Sequence, residues 1–204
     1  MQLADVIFSI AILIMSVVIH EVSHGLMANF LGDPTAKYEG RLTLNPIKHL
    51  DPFGSVILPL LLALLPGQGP IFGWAKPVPY NPYNLRNQRW GPALVGAAGP
   101  GSNLLVALVF SLVLRLSAEV LPESFVTIAA TIIFINILLA VFNLVPIPPL
   151  DGSKVLFALF PSRAGNIEAF LEAYGFVFLL LFIIFFWQFI SPVADFIFRL
   201  FTGA

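Results

Sequence analysis

Four long apolar stretches, none of which contains a lysine or an arginine, are separated by shorter polar connections along the chain. A bilayer core about 30 Å thick requires roughly 20 apolar residues in an α-helix that crosses it. Each stretch reaches that length and predicts a membrane-spanning helix: Val6–Leu31, Trp90–Leu114, Phe125 to about residue 146, and Ala173–Ala194. The pattern predicts an all-α polytopic membrane protein with a single domain over residues 1–204.

Two shorter segments lie between the first and second predicted spans. Val56–Leu65 contains no polar residue, but it has only ten residues and includes Pro59. A stretch this short predicts a re-entrant helix at about residues 54–66 rather than a full crossing. Three prolines between Gly73 and Arg89 disfavour a helix and predict a membrane-associated extended, β-like segment at about residues 73–83, with a plain connecting loop as the alternative.

The composition excludes several classes of protein. Apolar residues make up 58% of the chain and charged residues only 10%, whereas soluble domains carry about 25% charged residues. This much aliphatic and aromatic sequence also excludes intrinsic disorder. A net charge of −1 gives no basic surface for nucleic acid, and the absence of cysteine excludes disulfides, cysteine–zinc sites and thiol catalysis.

An H-E-x-x-H motif, His20-Glu21-Val22-Ser23-His24, lies inside the first predicted span. Residues four apart lie on the same face of a helix, so both imidazoles can reach one metal ion. Glu21 lies about 100° farther around the helix, where it can hold and deprotonate a water molecule without binding the ion. The alternative is a pair of buried histidines that only hydrogen bond. A charged group in mid-span costs about 2.5–3.5 kcal/mol on insertion scales, which favours a functional site.

Zinc hydrolases usually have three protein ligands, so a third residue is needed beside the two histidines. The candidates are His49, Asp51 and Asp151. His49 and Asp51 lie in a polar connection, where a helix cap or a turn explains them. Asp151 is better placed, because three prolines interrupt the helix just before it at membrane depth. It also suits the N-cap of a short helix that is predicted to end near Phe160.

Three motifs together resemble those of the site-2 protease family of intramembrane zinc metalloproteases. They are the H-E-x-x-H motif, Gly99-Pro-Gly-Ser-Asn103, and Asn143 with Leu150-Asp151-Gly152. The stretches 40–54 and 73–79 are similar to the compact prokaryotic branch of that family, which lacks PDZ and CBS domains. The resemblance extends from about Val6 to Phe160 and so covers most of the chain.

This resemblance implies one zinc ion per chain, bound by His20, His24 and Asp151, with Glu21 as the general base. It also implies that Asn143 supports the substrate or its oxyanion. An uncharged amide in a span can donate to such an oxygen, although it can equally bond neighbouring helices together.

The implied substrate is a protein that spans the lipid bilayer and is cut in or near its span, as in regulated intramembrane proteolysis. A homo-oligomer is compatible with the sequence. The candidate substrate contacts are Asn103, Lys76, Pro77, Val78 and Pro79. Gly99 and Gly101 are predicted to let helices approach closely.

Two other functions are alternatives. A membrane metal transporter would need ligands but no general base, and many transporters have repeated halves, whereas this chain shows no internal repeat. Another membrane zinc hydrolase, acting on lipid-modified protein termini, would also carry H-E-x-x-H in a helix. It would be favoured by a glutamate as third ligand from a second helix.

Basic residues are distributed unevenly about the predicted spans. Of the ten, all except Arg115 and Arg199 fall between the first two spans or after Asp151. The positive-inside rule makes that side cytoplasmic. The sequence therefore predicts a multi-pass protein of the prokaryotic plasma membrane, with an extracytoplasmic N-terminus and an active site nearer the cytoplasm.

Overall fold

A computed structural model describes residues 3–57, 75–117 and 120–203, without the side chains of residues 3–5, 55–56 and 161–167. Four of its helices are long and apolar enough to cross a membrane, which confirms the predicted all-α polytopic fold with four spans. The helices in chain order are α1 (Leu3–Phe30), α2 (Thr35–Tyr38), α3 (Trp90–Ser117), α4 (Glu123–Asn143), α5 (Asp151–Leu159) and α6 (Pro161–Thr202).

The last helix extends beyond the apolar run Ala173–Ala194 at both ends. Two glutamates precede that run, but the helix already begins at Pro161, where the fixed φ of proline suits a first turn. Pro192 lies inside the helix and does not end it, and α6 continues to Thr202. The apolar run therefore identified the part of α6 that suits lipid, and the helix itself is longer.

The chain between α1 and α3 is mostly irregular where it is described. Pro52–Ile57 forms a π-helix, and the rest of the predicted re-entrant helix lies outside the described residues. Residues 75–81 form no β-strand, so the strand-like prediction is wrong for them, and Pro82–Asn84 is a 3-10 helix. The physical reason is that Pro77 and Pro79 have no N–H group to donate to a strand ladder.

Two hydrogen bonds show which helix ends lie together. The backbone N–H of Arg86, just before α3, donates to the carbonyl of Leu31, just after α1, at 2.9 Å. The Arg89 Nε donates to the carbonyl of Ala158 near the end of α5, at 3.0 Å. The end of α1, the start of α3 and the end of α5 therefore lie at one end of the bundle, which we call the site end.

α3 packs against α1, α4 and α5 and so occupies the centre of the bundle. A buried cluster joins α3, α4 and α6, and half of its members are alanines, which let these helices approach closely. Its members are Ala107, Leu114, Ala129, Ile133, Ile137 and Ala194. α1 packs against both α3 and α4, and its two histidines, His20 and His24, are buried against α3.

Candidate metal centre

His20 and His24 lie one turn apart on the inner face of α1, with their ring centroids 4.5 Å apart. Both are buried, with 5% and 8% of their surface exposed. The His20 Nδ1 lies 2.7 Å from Asn103 Oδ1, and the His24 Nδ1 lies 2.6 Å from the carbonyl oxygen of Val95. These oxygens accept, so each ring donates from Nδ1, and the neutral form of such a ring has its lone pair on Nε2.

Asp151 reaches the histidines because the chain turns sharply after α4. The predicted span ran to about residue 146, but α4 ends at Asn143, since Pro146 disfavours a helical conformation at the residue before it. α5 then begins at Asp151 itself. The N-cap is Leu150, so the prediction of Asp151 as a helix cap is wrong, and its carboxylate points to α1 instead.

Three donor atoms converge in this region: the Nε2 atoms of His20 and His24 and the Oδ2 of Asp151. Asp151 Oδ2 lies 3.1 Å from each Nε2. Donors about 2.0 Å from a tetrahedral zinc ion lie about 3.3 Å from one another, so both the spacing and the donor types fit zinc. The other carboxylate oxygen, Oδ1, is 3.1 Å from Lys154 Nζ, which leaves Oδ2 directed at the imidazoles.

Gly99 of α3 faces the two imidazoles. A Cβ atom at this position would lie 2.5 Å from His24 Nε2 and 2.6 Å from His20 Nε2. The prediction of helix packing for Gly99 therefore omitted its nearest neighbours, which are imidazole atoms of His20 and His24. Gly101 is exposed, and no described atom lies within 4 Å of its Cβ position, so close packing does not explain that glycine.

Glu21 lies beside the histidines and is held by the irregular segment. One ligand-type atom from each of His20, Glu21 and His24 lies within 4.8 Å of the others. The Glu21 Oε2 accepts a hydrogen bond of 2.8 Å from the backbone N–H of Val78. Arg41 in turn fixes this segment, since its Nη2 donates to the carbonyl of Lys76 at 2.8 Å. The segment therefore lies directly against the carboxylate.

A cavity of about 150 Å³ opens in front of this cluster. Asn143, the last residue of α4, lines the cavity, and its Nδ2 donates to the carbonyl of Leu139 one turn earlier at 2.9 Å. Tyr80, Pro149 and Lys154 line both this cavity and a neighbouring groove of about 990 Å³. The candidate metal centre is thus next to a space large enough for a peptide segment.

The two weaker candidates for the third ligand, His49 and Asp51, are engaged elsewhere, as a cap or turn in the connection would require. His49 is buried, and its Nε2 donates to the carbonyl of Thr43 at 2.8 Å. The Asp51 Oδ1 accepts a 2.6 Å hydrogen bond from the N–H of Gly54 at the start of the π-helix. Both residues stabilise the turns of the connection between α1 and α3.

Asn103 has a different position from the predicted substrate contact. It is fully buried and lies behind His20, on the side of the ring that faces away from the cavity. Its Nδ2 donates to Asn136 Oδ1 at 2.8 Å and to the carbonyl of Ser16 at 3.2 Å. Ser16 and Asn136 are not among the residues predicted from the sequence, although Ser16 precedes His20 by one helical turn and so shares its face.

Known proteins resemble this chain in sequence. A model of peptidase family M50 matches residues 116–186. A Bacillus subtilis (strain 168) relative named "Putative zinc metalloprotease YwhC" is 39% identical over 206 residues, which cover 94% of this chain and 89% of that relative. "Putative zinc metalloprotease Rip2" of Mycolicibacterium smegmatis is 33% identical over 143 residues, 70% of this chain and 53% of the relative. No solved structure gives a significant match.

Proposed function

We propose that this chain, which belongs to peptidase family M50, the site-2 protease family, and is a zinc metalloprotease, hydrolyses peptide bonds in or near the membrane-spanning segments of other proteins. The observation that carries this substrate class is the position of the metal-ligand cluster. His20 and His24 lie within the candidate span Val6–Phe30 rather than in a connection outside it. A peptide bond that reaches them must therefore enter the helix bundle.

We assign one zinc ion per chain to His20, His24 and Asp151, whose donor spacing supports the choice. Zinc bound there would polarise the scissile carbonyl and bring the pKa of a bound water towards about 7. The third donor is an aspartate at the start of α5, just after the irregular residues that follow α4, and not a glutamate, which favours this assignment over the hydrolases of lipid-modified termini. A metal transporter would have no use for Glu21 beside the ligands.

Glu21 is the proposed general base. Its carboxylate takes a proton from the attacking water and later delivers it to the leaving nitrogen. The N–H of Val78 holds Oε2, so the other oxygen, Oε1, is the one we expect to face the water. Asn143 lines the same cavity, and we propose that one amide hydrogen donates to the carbonyl oxygen as negative charge develops on it.

The segment Lys76–Pro79 is the proposed docking strip for an unwound stretch of substrate. A helix must unwind locally before its carbonyls are accessible, and its freed N–H groups then need acceptors within the membrane. Pro77 and Pro79 have carbonyls but no N–H, so this strip offers mainly acceptors. Lys76 and Pro77 are exposed, whereas Val78 is buried against α1. This supports a strip whose exposed side can receive the substrate while its buried side attaches it to α1.

The protein is a multi-pass membrane protein, and we propose the plasma membrane of a prokaryote as its location. The site end of the bundle is the proposed cytoplasmic end. The basis is the charge asymmetry about the spans, together with the bond between Arg86 and Leu31, which keeps the start of α3 on the same side as the end of α1.

Glu21→Gln is the experiment that tests this function. Purified protein is incubated with candidate single-span substrates, with and without a zinc chelator, and its zinc content is measured. We expect the variant to retain zinc but to lose cleavage by a factor of about 100 to 10,000, the usual contribution of a general base. The matched control is Glu39→Gln, a change of an exposed glutamate, which should retain both zinc and cleavage.

Each part of the proposal has its own contrary result. Loss of zinc from Glu21→Gln equal to that from His20→Ala would make Glu21 a ligand rather than the base. Normal cleavage by Glu21→Gln would show that Glu21 is not the general base. If the zinc-loaded protein cuts only peptides without an apolar span, the proposed substrate class is wrong.

A further inference from the structure

A set of buried side chains, which we call the amide relay, lies behind His20 and consists of Ser16, Asn103 and Asn136. Asn103 Oδ1 lies 2.7 Å from His20 Nδ1, and Asn103 Nδ2 lies 2.8 Å from Asn136 Oδ1. Asn136 Nδ2 donates to Ser16 Oγ at 2.9 Å. Both amides are 0% exposed, and none of the three residues lines the cavity. Among the described residues, the relay therefore reaches the candidate metal site through its bond to His20.

Two backbone carbonyls fix the direction of this relay. Asn136 Nδ2 also donates to the carbonyl of Ile132 at 2.9 Å, and Asn103 Nδ2 also donates to the carbonyl of Ser16. A carbonyl oxygen can only accept, so each amide must turn its nitrogen towards it. Asn136 then presents oxygen to Asn103, and Asn103 presents oxygen to His20. Because Asn103 Oδ1 can only accept, His20 needs a proton on Nδ1 to donate to it.

The relay joins three spans, because Ser16 is on α1, Asn103 on α3 and Asn136 on α4. Polar groups at this depth have no water to replace a lost partner, so they hold their geometry more firmly than exposed groups would. Rotation of either amide would place oxygen against oxygen. The orientation of Asn103 is thus held by two acceptors, the carbonyl of Ser16 at 3.2 Å and the closer Oδ1 of Asn136 at 2.8 Å, and Asn136 does not contact the histidine itself.

We propose that Asn136 is a positioning residue for the zinc site. It acts through Asn103 to keep the proton of His20 on Nδ1 and the lone pair of Nε2 directed at the ion. Groups that orient a metal-bound histidine in this way raise metal affinity as well as activity. The inference rests on the proposed role of His20 as a zinc ligand.

Asn136→Leu tests the inference, because leucine fills a similar volume without donor or acceptor atoms. Zinc affinity is measured by competition with a chelator, and the cobalt(II)-substituted protein is examined by absorption spectroscopy. We expect affinity to fall by about 10- to 100-fold and the cobalt bands to shift. If Asn136 acts through Asn103, then adding Asn136→Leu to a protein that already carries Asn103→Leu should lower zinc affinity by less than about threefold.

Ile137→Ala is the matched control, since Ile137 is a fully buried neighbour on the same helix. It should lower the melting temperature but leave zinc affinity and the cobalt spectrum unchanged. Equal loss of zinc affinity from Ile137→Ala, or additive losses in the double variant, would overturn the proposal.

Ser16→Ala provides a milder variant if Asn136→Leu does not fold. It removes one acceptor of Asn136 and should weaken zinc binding severalfold, and parent-like binding would count against the relay. His20→Ala distinguishes the proposed ligand set from the proposed role of Asn136. If His20→Ala retains zinc, the proposed ligand set fails. If it loses zinc while Asn136→Leu does not, only the role of Asn136 fails.

Discussion

Gly99 allows a sharp prediction at the scale of a single residue. Its missing side chain leaves room beside the Nε2 atoms of His20 and His24, where the ion is proposed to bind. We expect Gly99→Ala to weaken zinc binding by about tenfold or more, because the added methyl group displaces an imidazole or blocks its approach to the metal. The zinc content of the purified variant checks the prediction, and its helix content shows whether the variant is folded.

Gly101→Ala is the control for this change. Gly101 lies two residues farther along α3, and no side chain in the described part of the chain lies within 4 Å of its Cβ position, so an added methyl group should leave zinc binding unchanged. If both variants bind zinc as the parent does, Gly99 serves only to bring α1 and α3 together.

Sequence identified the residues whose chemistry is unusual in a membrane span and missed those whose chemistry is common there. His20, Glu21 and His24 were evident because ionisable groups are costly in lipid. Ser16 and Asn136 gave no such signal, since uncharged polar side chains often join neighbouring helices. Their role becomes visible only when the packing of α1, α3 and α4 shows what each amide contacts.

At the scale of elements, Asp33 joins the end of α1 to the segment that leads into α3. It is fully buried and accepts hydrogen bonds from Thr35 Oγ1 at 2.6 Å, Asn81 N–H at 2.7 Å and Asn84 Nδ2 at 2.8 Å. Burial alone would raise the pKa of Asp33, but these hydrogen bonds outweigh it and the net pKa is lowered. The stabilisation is therefore complete above the unfolded pKa of about 4 and is lost as the pH falls through the folded pKa.

Asp33→Asn should accordingly destabilise the protein in a pH-dependent manner. We expect a loss of about 1–3 kcal/mol at pH 7, because the amide nitrogen would face donors. The difference from the parent should narrow as the pH falls below about 4, because the unfolded parent then binds a proton at Asp33 while the folded parent, with its lowered pKa, still binds none. Thermal unfolding at the two pH values checks this, and an equal difference at both would contradict it.

The elements themselves were predictable where length and hydropathy decide them. The four spans follow from runs of apolar residues that only a membrane accommodates. The strand-like prediction for residues 73–83 failed where it is described, because Pro77 and Pro79 favour an extended chain but remove two of the N–H donors that a strand ladder uses. The position of Asp151 as the first residue of α5 depends on how the chain turns after Asn143, which composition does not specify.

At the scale of the whole molecule, the orientation in the membrane can be tested directly. Arg115 at the end of α3 donates to the carbonyl of Leu200 near the end of α6 at 2.7 Å, so these helices end together, opposite the site end. Because the chain has no cysteine, a single introduced cysteine reports one position. Tyr83, 87% exposed, lies near the site end, and Ser124 lies at the other end.

Tyr83→Cys should react with a membrane-impermeant thiol reagent only after the cells are opened, whereas Ser124→Cys should react in intact cells. The expected contrast is close to complete, since charge asymmetry places the two positions on opposite sides. Labelling of Tyr83→Cys from outside would reverse the proposed orientation.

The depth of the histidines within α1 affects the two halves of a cut substrate differently. Phe30, the last residue of the first candidate span, is six residues beyond His24, and this corresponds to about 9 Å along the helix axis. A partner span cut at that depth would keep only about a third of its 30 Å apolar length on the fragment at the site end. So short a stub cannot anchor a polypeptide in lipid, while the longer remainder stays embedded. Under the proposed function, we therefore expect the fragment released into water to be the one on the side of the end of α5.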